Sequence, residues 1–289
     1  MTGLRVAGAP ISWGVCEVPG WGHQLAADQV LAQMRDLGLE ATEFGPDGFL
    51  PVDPLARSRM LHDAGLRAVG GFLPVVLHDA SADPVPPVEA FVEAGLVAGA
   101  DVVVLAAATG TNGYDHRRSL DEHEWSTLLA NLDRIADATA RRGAVTALHP
   151  HVGTVVERAE EVARVLRGST VGLCVDTGHL LAGGTDPVAL VREEPGRVVH
   201  VHLKDLDAAL AAEVRAGRLA YAEAIPRGLF TPLGQGDVDV SALVRTLIDA
   251  GYDGWFVLEQ DVMLAAEPVG EGPAADVRTS LDFLRGVIR

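Results

Sequence analysis

The residues best suited to chemistry gather in the second half of the chain. In "VVHVHLKDLDA" (198–208), His200 and His202 flank one valine, and Lys204 and Asp205 follow. Imidazole nitrogens bind divalent metals or carry protons, and a lysine can donate a proton or face developing negative charge. Three more stretches hold comparable groups: "ALHPHVGT" with His149 and His151, "CVDTGHLL" with Asp176 and His179, and "FVLEQD" with Glu259. Glu43 stands near the end of "EATEFG". Imidazole mixed with carboxylate suits Mn, Co, Fe or Zn and does not suit Ca. Each position also has a plain reading. A histidine at a strand end can be a satisfied polar residue, Glu43 can be in a rim salt bridge, His179 can cap a helix, and Lys204 can pair with Asp205.

What decides between these readings is where the elements put the side chains. Eight short β-prone runs alternate with helical stretches: 5–11, 40–45, 67–73, 101–107, 144–150, 171–177, 198–204 and 255–260. The clearest helix is "DEHEWSTLLANLDRIADATARRG", where Trp125, Leu128, Leu129, Leu132, Ile135 and Ala138 recur at spacings of three and four. Eight strands alternating with helices predict parallel βα units closed into an α/β (β/α)8 TIM barrel, for which about 250 residues is usual. The expected organisation is one barrel domain over 1–289, with a long excursion at about 206–236 that could serve as a lid. "GQGD" (234–237) reads as a tight loop before a helix capped by Asp239.

In such a barrel the active face is at the strand C-termini, and side chains alternate along each strand. On strand seven His200, His202 and Lys204 share the inward face, while Val199, Val201 and Leu203 face out. On strand six Asp176 shares its face with Cys174 and Gly172. Four consecutive strands thus end in a residue able to bind a metal: His149, Asp176, His202 and Glu259. His202 is the expected ligand and His200 a deeper support. His151, His179, Lys204 and Glu43 are expected around the substrate, with His151 the alternative to His149 as ligand.

Bulk composition narrows the function. A chain of 289 residues with 48% hydrophobic and 22% charged residues is globular in composition. A net charge of −17 gives no positive face for a phosphate backbone, so no nucleic acid is expected as partner. No apolar stretch approaches the ~20 residues of a membrane span, and the N-terminus lacks a signal-peptide pattern. Two distant cysteines, Cys16 and Cys174, predict a reducing cytoplasm rather than a disulfide scaffold. There is no G-x-S-x-G, P-loop or C-x-x-C motif.

Taken as words, "CVDTGHLLAGG", "RVVHVHLKDLD", "GLFTPLGQGDVDVSALV" and "AGYDGWFVLEQD" resemble the sugar-phosphate isomerase/epimerase superfamily, the xylose isomerase-like TIM barrels. "GAPISWG", "TEFG" and "HPHVGT" are similar to its inosose dehydratase branch, in myo-inositol catabolism. The resemblance implies a divalent metal, Mn or Co foremost with Zn, Fe or Mg as alternatives, held at the ends of strands five to eight. It places ligands at Asp176, His202 and Glu259. Isomerases of the superfamily carry a glutamate on strand five where this chain has His149. Without that second carboxylate the two-base exchange of an epimerase loses a partner.

The resemblance therefore implies a lyase that removes water from a cyclic polyol ketone such as 2-keto-myo-inositol (inosose). The metal would act as a Lewis acid on the carbonyl and acidify the neighbouring C–H. Glu259 is a base as well as a ligand; Lys204, His151 and His179 share the roles of acid and substrate contact. The nearest alternative is an isomerase or epimerase of a ketose or keto-inositol on the same metal. An apurinic-site endonuclease would need further ligands and a basic face, and a dead scaffold would hold no metal. The partner is a small polyol or ketose, with self-association left open.

Overall fold

The computed structural model describes residues 4–287. Eight strand runs form its centre: Arg5–Gly8, Ala41–Thr42, Arg67–Ala68 continued by Gly70–Val75, Val102–Ala107, Val145–Leu148, Gly172–Asp176, Val198–Leu203 and Trp255–Leu258. Every neighbouring pair is parallel. Strand three closes the ring, since Arg67–Ala68 pairs with strand two and Gly70–Val75 pairs with strand four. Across the interruption, Val69 N–H donates to the Thr42 carbonyl and Phe44 N–H to that of Gly70, both at 3.0 Å. A side chain at Gly70 would place its Cβ 2.6 Å from the Val102 carbonyl oxygen, so only glycine lets strand four approach there. The result is the expected (β/α)8 barrel. Several strands are shorter than the sequence suggests: strand two is two residues, and strand one gives way to a 3-10 turn at Pro10–Trp13.

The outward strand faces are covered by helices. Helix Glu122–Ala140 follows the predicted stripe: Trp125, Leu128, Leu132, Ile135 and Ala138 are buried, Leu129 partly so. Asp121 and Glu124 form a reciprocal capping box at its start. Burying each large aliphatic side chain of that stripe contributes ~1.5–3 kcal/mol, which fixes which way the helix faces. Gly143, at φ 77°, turns the chain back into strand five.

One register detail positions the site. Strand six pairs Leu173 with Val198, then Cys174 with His200 and Asp176 with His202. Strand seven therefore carries one extra residue, a β-bulge at Val199. The bulge corrects the expectation that Val199 faces outward with Val201 and Leu203. Val199 instead packs with the interior cluster Val104, Ala147 and Cys174. It fits because Gly172 lies opposite; a Cβ there would meet Val199 Cγ2 at 2.5 Å.

The excursion after strand seven carries secondary structure of its own. It holds helices Ala208–Arg215 and Tyr221–Ala224, with Gly217 at φ 69° between them. Asp205–Leu206 pairs antiparallel with Phe230–Thr231 and ties its two ends together. The "GQGD" loop closes on Asp205, whose carboxylate accepts the N–H groups of Gly234, Gly236 and Val238 at 2.8, 3.0 and 3.0 Å. Asp239 caps the following helix as expected, accepting from Ala242 N–H. Among the described residues no helix is long and apolar enough to cross a membrane.

Candidate metal centre

A cavity of about 240 Å³ opens at the C-terminal mouth of the barrel. His149, His151, Glu43, Lys204, Glu259 and Asp261 supply its polar wall, and Trp21, Phe44 and Phe72 part of the apolar one. His149 and His151 lie just past strand five, which ends at Leu148, so a coil rather than strand alternation aims them. Their rings are 5.2 Å apart, and Phe72 stands against both.

Asp176, His202 and Glu259 come together: their donor atoms all lie within 4.8 Å of one another. The bulged register sets Asp176 beside His202, and Glu259 N–H extends the ladder onto the Leu203 carbonyl. His202 Nδ1 is 2.8 Å from Glu259 Oε2 and 3.6 Å from Asp176 Oδ2. His149 joins from the other side, its Nε2 3.3 Å from Asp176 Oδ2.

Two features test whether this set fits a cation. The Nδ1 of His202 is buried without any hydrogen-bond partner, although it sits so near a carboxylate. Buried polar atoms left unpaired are rare and call for a partner. At its far end His202 Nε2 meets Glu43 Oε1 at 2.9 Å. An Nε2–H held on a carboxylate leaves the Nδ1 lone pair turned toward Asp176 and Glu259, the arrangement metal-binding histidines use. The residues fit a divalent ion with mixed nitrogen and oxygen donors. His202 is also grouped with Glu43 and His200, and with His149 and Cys174.

Glu43 corrects one plain reading. It is buried, accepts from His200 at 2.7 Å as well as from His202, and makes no rim salt bridge. Burial opposes its charge, but His202 and His200 outweigh it and hold the carboxyl far below its usual range. His200 is the deeper support residue that strand alternation implied.

Lys204 corrects another. Its ammonium turns away from Asp205 into the cavity, 3.4 Å from Asp176 Oδ2, 3.2 Å from Glu259 Oε2 and 2.7 Å from Asp261 Oδ1. Burial works against its charge, yet Asp176, Asp261 and Glu259 push it well above the ordinary lysine value. Asp176 is held well below its usual range despite burial, chiefly by Lys204. Its Oδ1 accepts His179 N–H, so Asp176, not His179, caps helix Thr177–Gly183. Burial lowers His151 and His179 well below the usual histidine value, helped by neighbouring His149 or His151 and by Lys204, so both rings are neutral. They stack with centroids 3.8 Å apart. His151 Nδ1 meets the Val152 carbonyl at 2.6 Å, and His179 Nε2 accepts from Lys204 Nζ at 2.9 Å.

Sequence reasoning passed over Asp261 and Tyr221. Asp261 follows Glu259 by two, just past strand eight, which ends at Leu258; extending the strand's alternation by two residues could have flagged it. Tyr221 comes from the excursion, is 2% exposed and donates its hydroxyl to Asp261. No local pattern marks it.

A parallel barrel with imidazoles and carboxylates converging at its mouth defines a class of metal-capable barrel enzymes. The chain belongs to the xylose isomerase-like TIM barrel family, whose model matches residues 24–287. It is 33% identical over 271 residues to the inosose dehydratase of Geobacillus kaustophilus (strain HTA426), spanning 89% of this chain and 87% of that one. The rhizopine catabolism protein MocC of Rhizobium meliloti is 32% identical over 272 residues, at 89% and 82%. Among solved structures, the probable 3-DHS dehydratase AsbF of Bacillus anthracis superposes with a TM-score of 0.69 at 14% identity, over 98% of this chain and 99% of that one. An L-ribulose 3-epimerase superposes equally well, with a TM-score of 0.69 at 14% identity over 99% and 94%. At such identities the two structures report the fold alone.

Proposed function

We propose that this protein is an inosose dehydratase: a divalent-metal-dependent carbon–oxygen lyase that removes water from a cyclic polyol ketone such as 2-keto-myo-inositol. Asp176, His202, Glu259 and His149 would hold the ion, Mn or Co by preference. When bound, the ion supplies Lewis acidity toward a carbonyl and its neighbouring hydroxyl. The chain's own residues do the rest. Glu259, kept ionised by His202 and Lys204 against its burial, takes the proton beside the carbonyl. Lys204, kept charged, gives a proton to the departing β-hydroxyl. Neutral His179 accepts a Lys204 N–H and aims the ammonium, and the free Nε2 of neutral His151 accepts from a substrate hydroxyl. Glu43 fixes the His202 tautomer. The excursion at 206–236 reaches the site through Tyr221, which donates its hydroxyl to Asp261.

The observation that carries this reading is the unlike pair, a carboxylate and an ammonium 3.2 Å apart. Elimination needs a base and an acid at neighbouring atoms, which such a pair supplies. Epimerisation needs two matched groups on opposite faces, and strand five offers neutral-leaning His149 in place of a second glutamate. The 33% identity to a protein named inosose dehydratase supports the same substrate class.

The test is turnover of inosose by protein stripped with a chelator and reloaded separately with Mn2+, Co2+, Zn2+ and Mg2+, in deuterated water. Metal-dependent loss of water with a new enone absorbance is expected. Label exchange with every hydroxyl retained would overturn dehydration in favour of the isomerase or epimerase.

A further inference from the structure

Lys204 is the only lysine in the chain; the other 22 side-chain cations of the Lys and Arg class are arginines. A sequence that uses arginine everywhere else has kept one compact ammonium, and it lies in the barrel mouth at 2% exposure. Arginine carries a broad planar fork with permanent charge, whereas lysine offers a small head that can release a proton. The surroundings are cut to that head and its stem. The Thr177 hydroxyl accepts Lys204 N–H at 2.8 Å and donates to the Lys204 carbonyl at 2.5 Å, clamping the backbone from both sides. A Cβ at Gly178 would strike Lys204 Cβ at 2.7 Å, so glycine clears the stem's path.

Three carboxylates meet the ammonium, and they are not equivalent. Asp176 and Glu259 are drawn toward the proposed ion as donors. Asp261 touches none of that donor set within ion-pair reach and makes the shortest approach to Lys204, at 2.7 Å. Its other oxygen accepts the hydroxyl of Tyr221. Tyr221 is itself enclosed, with Phe230 at 6.3 Å and the His179 ring at 6.1 Å between centroids.

We propose that Asp261 is a positioning residue that aims the Lys204 ammonium at substrate, and that Tyr221, delivered by the excursion after strand seven, locks Asp261 in that pose. Docking of the excursion is thereby coupled to the readiness of the acid. This deepens the dehydratase reading and rests on it for the kinetic part of its test.

The test compares Tyr221→Phe, Asp261→Asn, Asp261→Glu and the Tyr221→Phe/Asp261→Asn double variant, each as metal-loaded full-length protein. Expected losses in kcat are about tenfold for Tyr221→Phe and about a hundredfold for Asp261→Asn, the usual span of acid–base contributions. KM for inosose and metal stoichiometry stay within about twofold. The double variant falls no further than Asp261→Asn alone, because two members of one chain are not additive. Asp261→Glu regains part of the loss. A second readout needs no turnover: lysine labelled with 15N gives a single Nζ signal, assigned by its loss in Lys204→Met. That signal shifts in Asp261→Asn and moves the same way, by less, in Tyr221→Phe. Loss of bound metal in Asp261→Asn, a change confined to KM, multiplying losses in the double variant, or an unmoved Nζ signal would each overturn the proposal. An inosose-inactive wild type with a responsive Nζ signal would instead count against the dehydratase reading and leave the Asp261–Lys204 pairing supported.

Discussion

Glu259 Oε2 and Lys204 Nζ lie 3.2 Å apart, just past the ends of adjacent strands and on the same wall of the cavity. If one takes the proton and the other feeds the leaving hydroxyl, both bonds break on one face of the ring. The elimination is therefore expected to be syn. Each ring carbon of inosose beside the carbonyl bears one hydrogen, so the check is an epimer inverted at the β-carbon, in which that hydrogen and the hydroxyl lie anti. It is expected to resist dehydration; turnover equal to that of inosose would rule out the pair as base and acid.

Lys204→Arg is expected to lower kcat by about 10²–10⁴-fold, the scale of a general acid. The guanidinium keeps the charge but brings a broad planar fork in place of the compact head, and it never releases its proton. Stopped-flow or steady-state rates with metal content measured in parallel separate this from loss of the ion.

Glu43→Gln leaves His202 without the anion at its Nε2. Metal affinity is expected to fall about 10–100-fold, as when other histidine ligands lose their carboxylate partners. Competition with a chromophoric chelator measures it. An unchanged affinity would place the ion away from His202.

Metal binding is expected to weaken as pH falls. In the ion-free protein burial opposes a charged His202 ring, but Cys174, Glu259 and Glu43 raise it well above the usual histidine value. The ion must therefore displace a proton from Nδ1 at every pH below that raised value. Apparent affinity should drop by about one decade per pH unit there. Calorimetry in buffers of different ionisation heat would show close to one proton released; none released would exclude this ligand.

Gly172→Ala tests the bulge. The added methyl meets Val199 at 2.5 Å and the Thr146 carbonyl at 3.3 Å. Overpacking of this kind costs ~1–3 kcal/mol, read as a lower Tm. Because the same bulge sets His202 beside Asp176, metal affinity should fall with it, though neither ligand is changed. A Tm and affinity equal to wild type would show that Val199 can move aside without disturbing the register.

The sequence by itself determined the barrel, the strand count and the strand ends that carry Asp176, His202 and Glu259. These follow from local facts: period-two alternation, the 3.6-residue stripe of the Glu122–Ala140 helix, and the order of strands around a parallel ring. The roles of Glu43 and Asp261 were not local. Glu43 reaches residues more than 150 positions away, and Asp261 is engaged by a tyrosine 40 positions earlier on an excursion with no regular pattern. Alternation also mistook Val199, since one extra residue in strand seven can be seen only against its neighbour, Gly172. Without that bulge Asp176 would face Val201 rather than His202. Sequence named Asp176, His202 and Glu259; the tertiary structure decided that they meet, because register and side-chain reach are properties of pairs of strands rather than of any one of them.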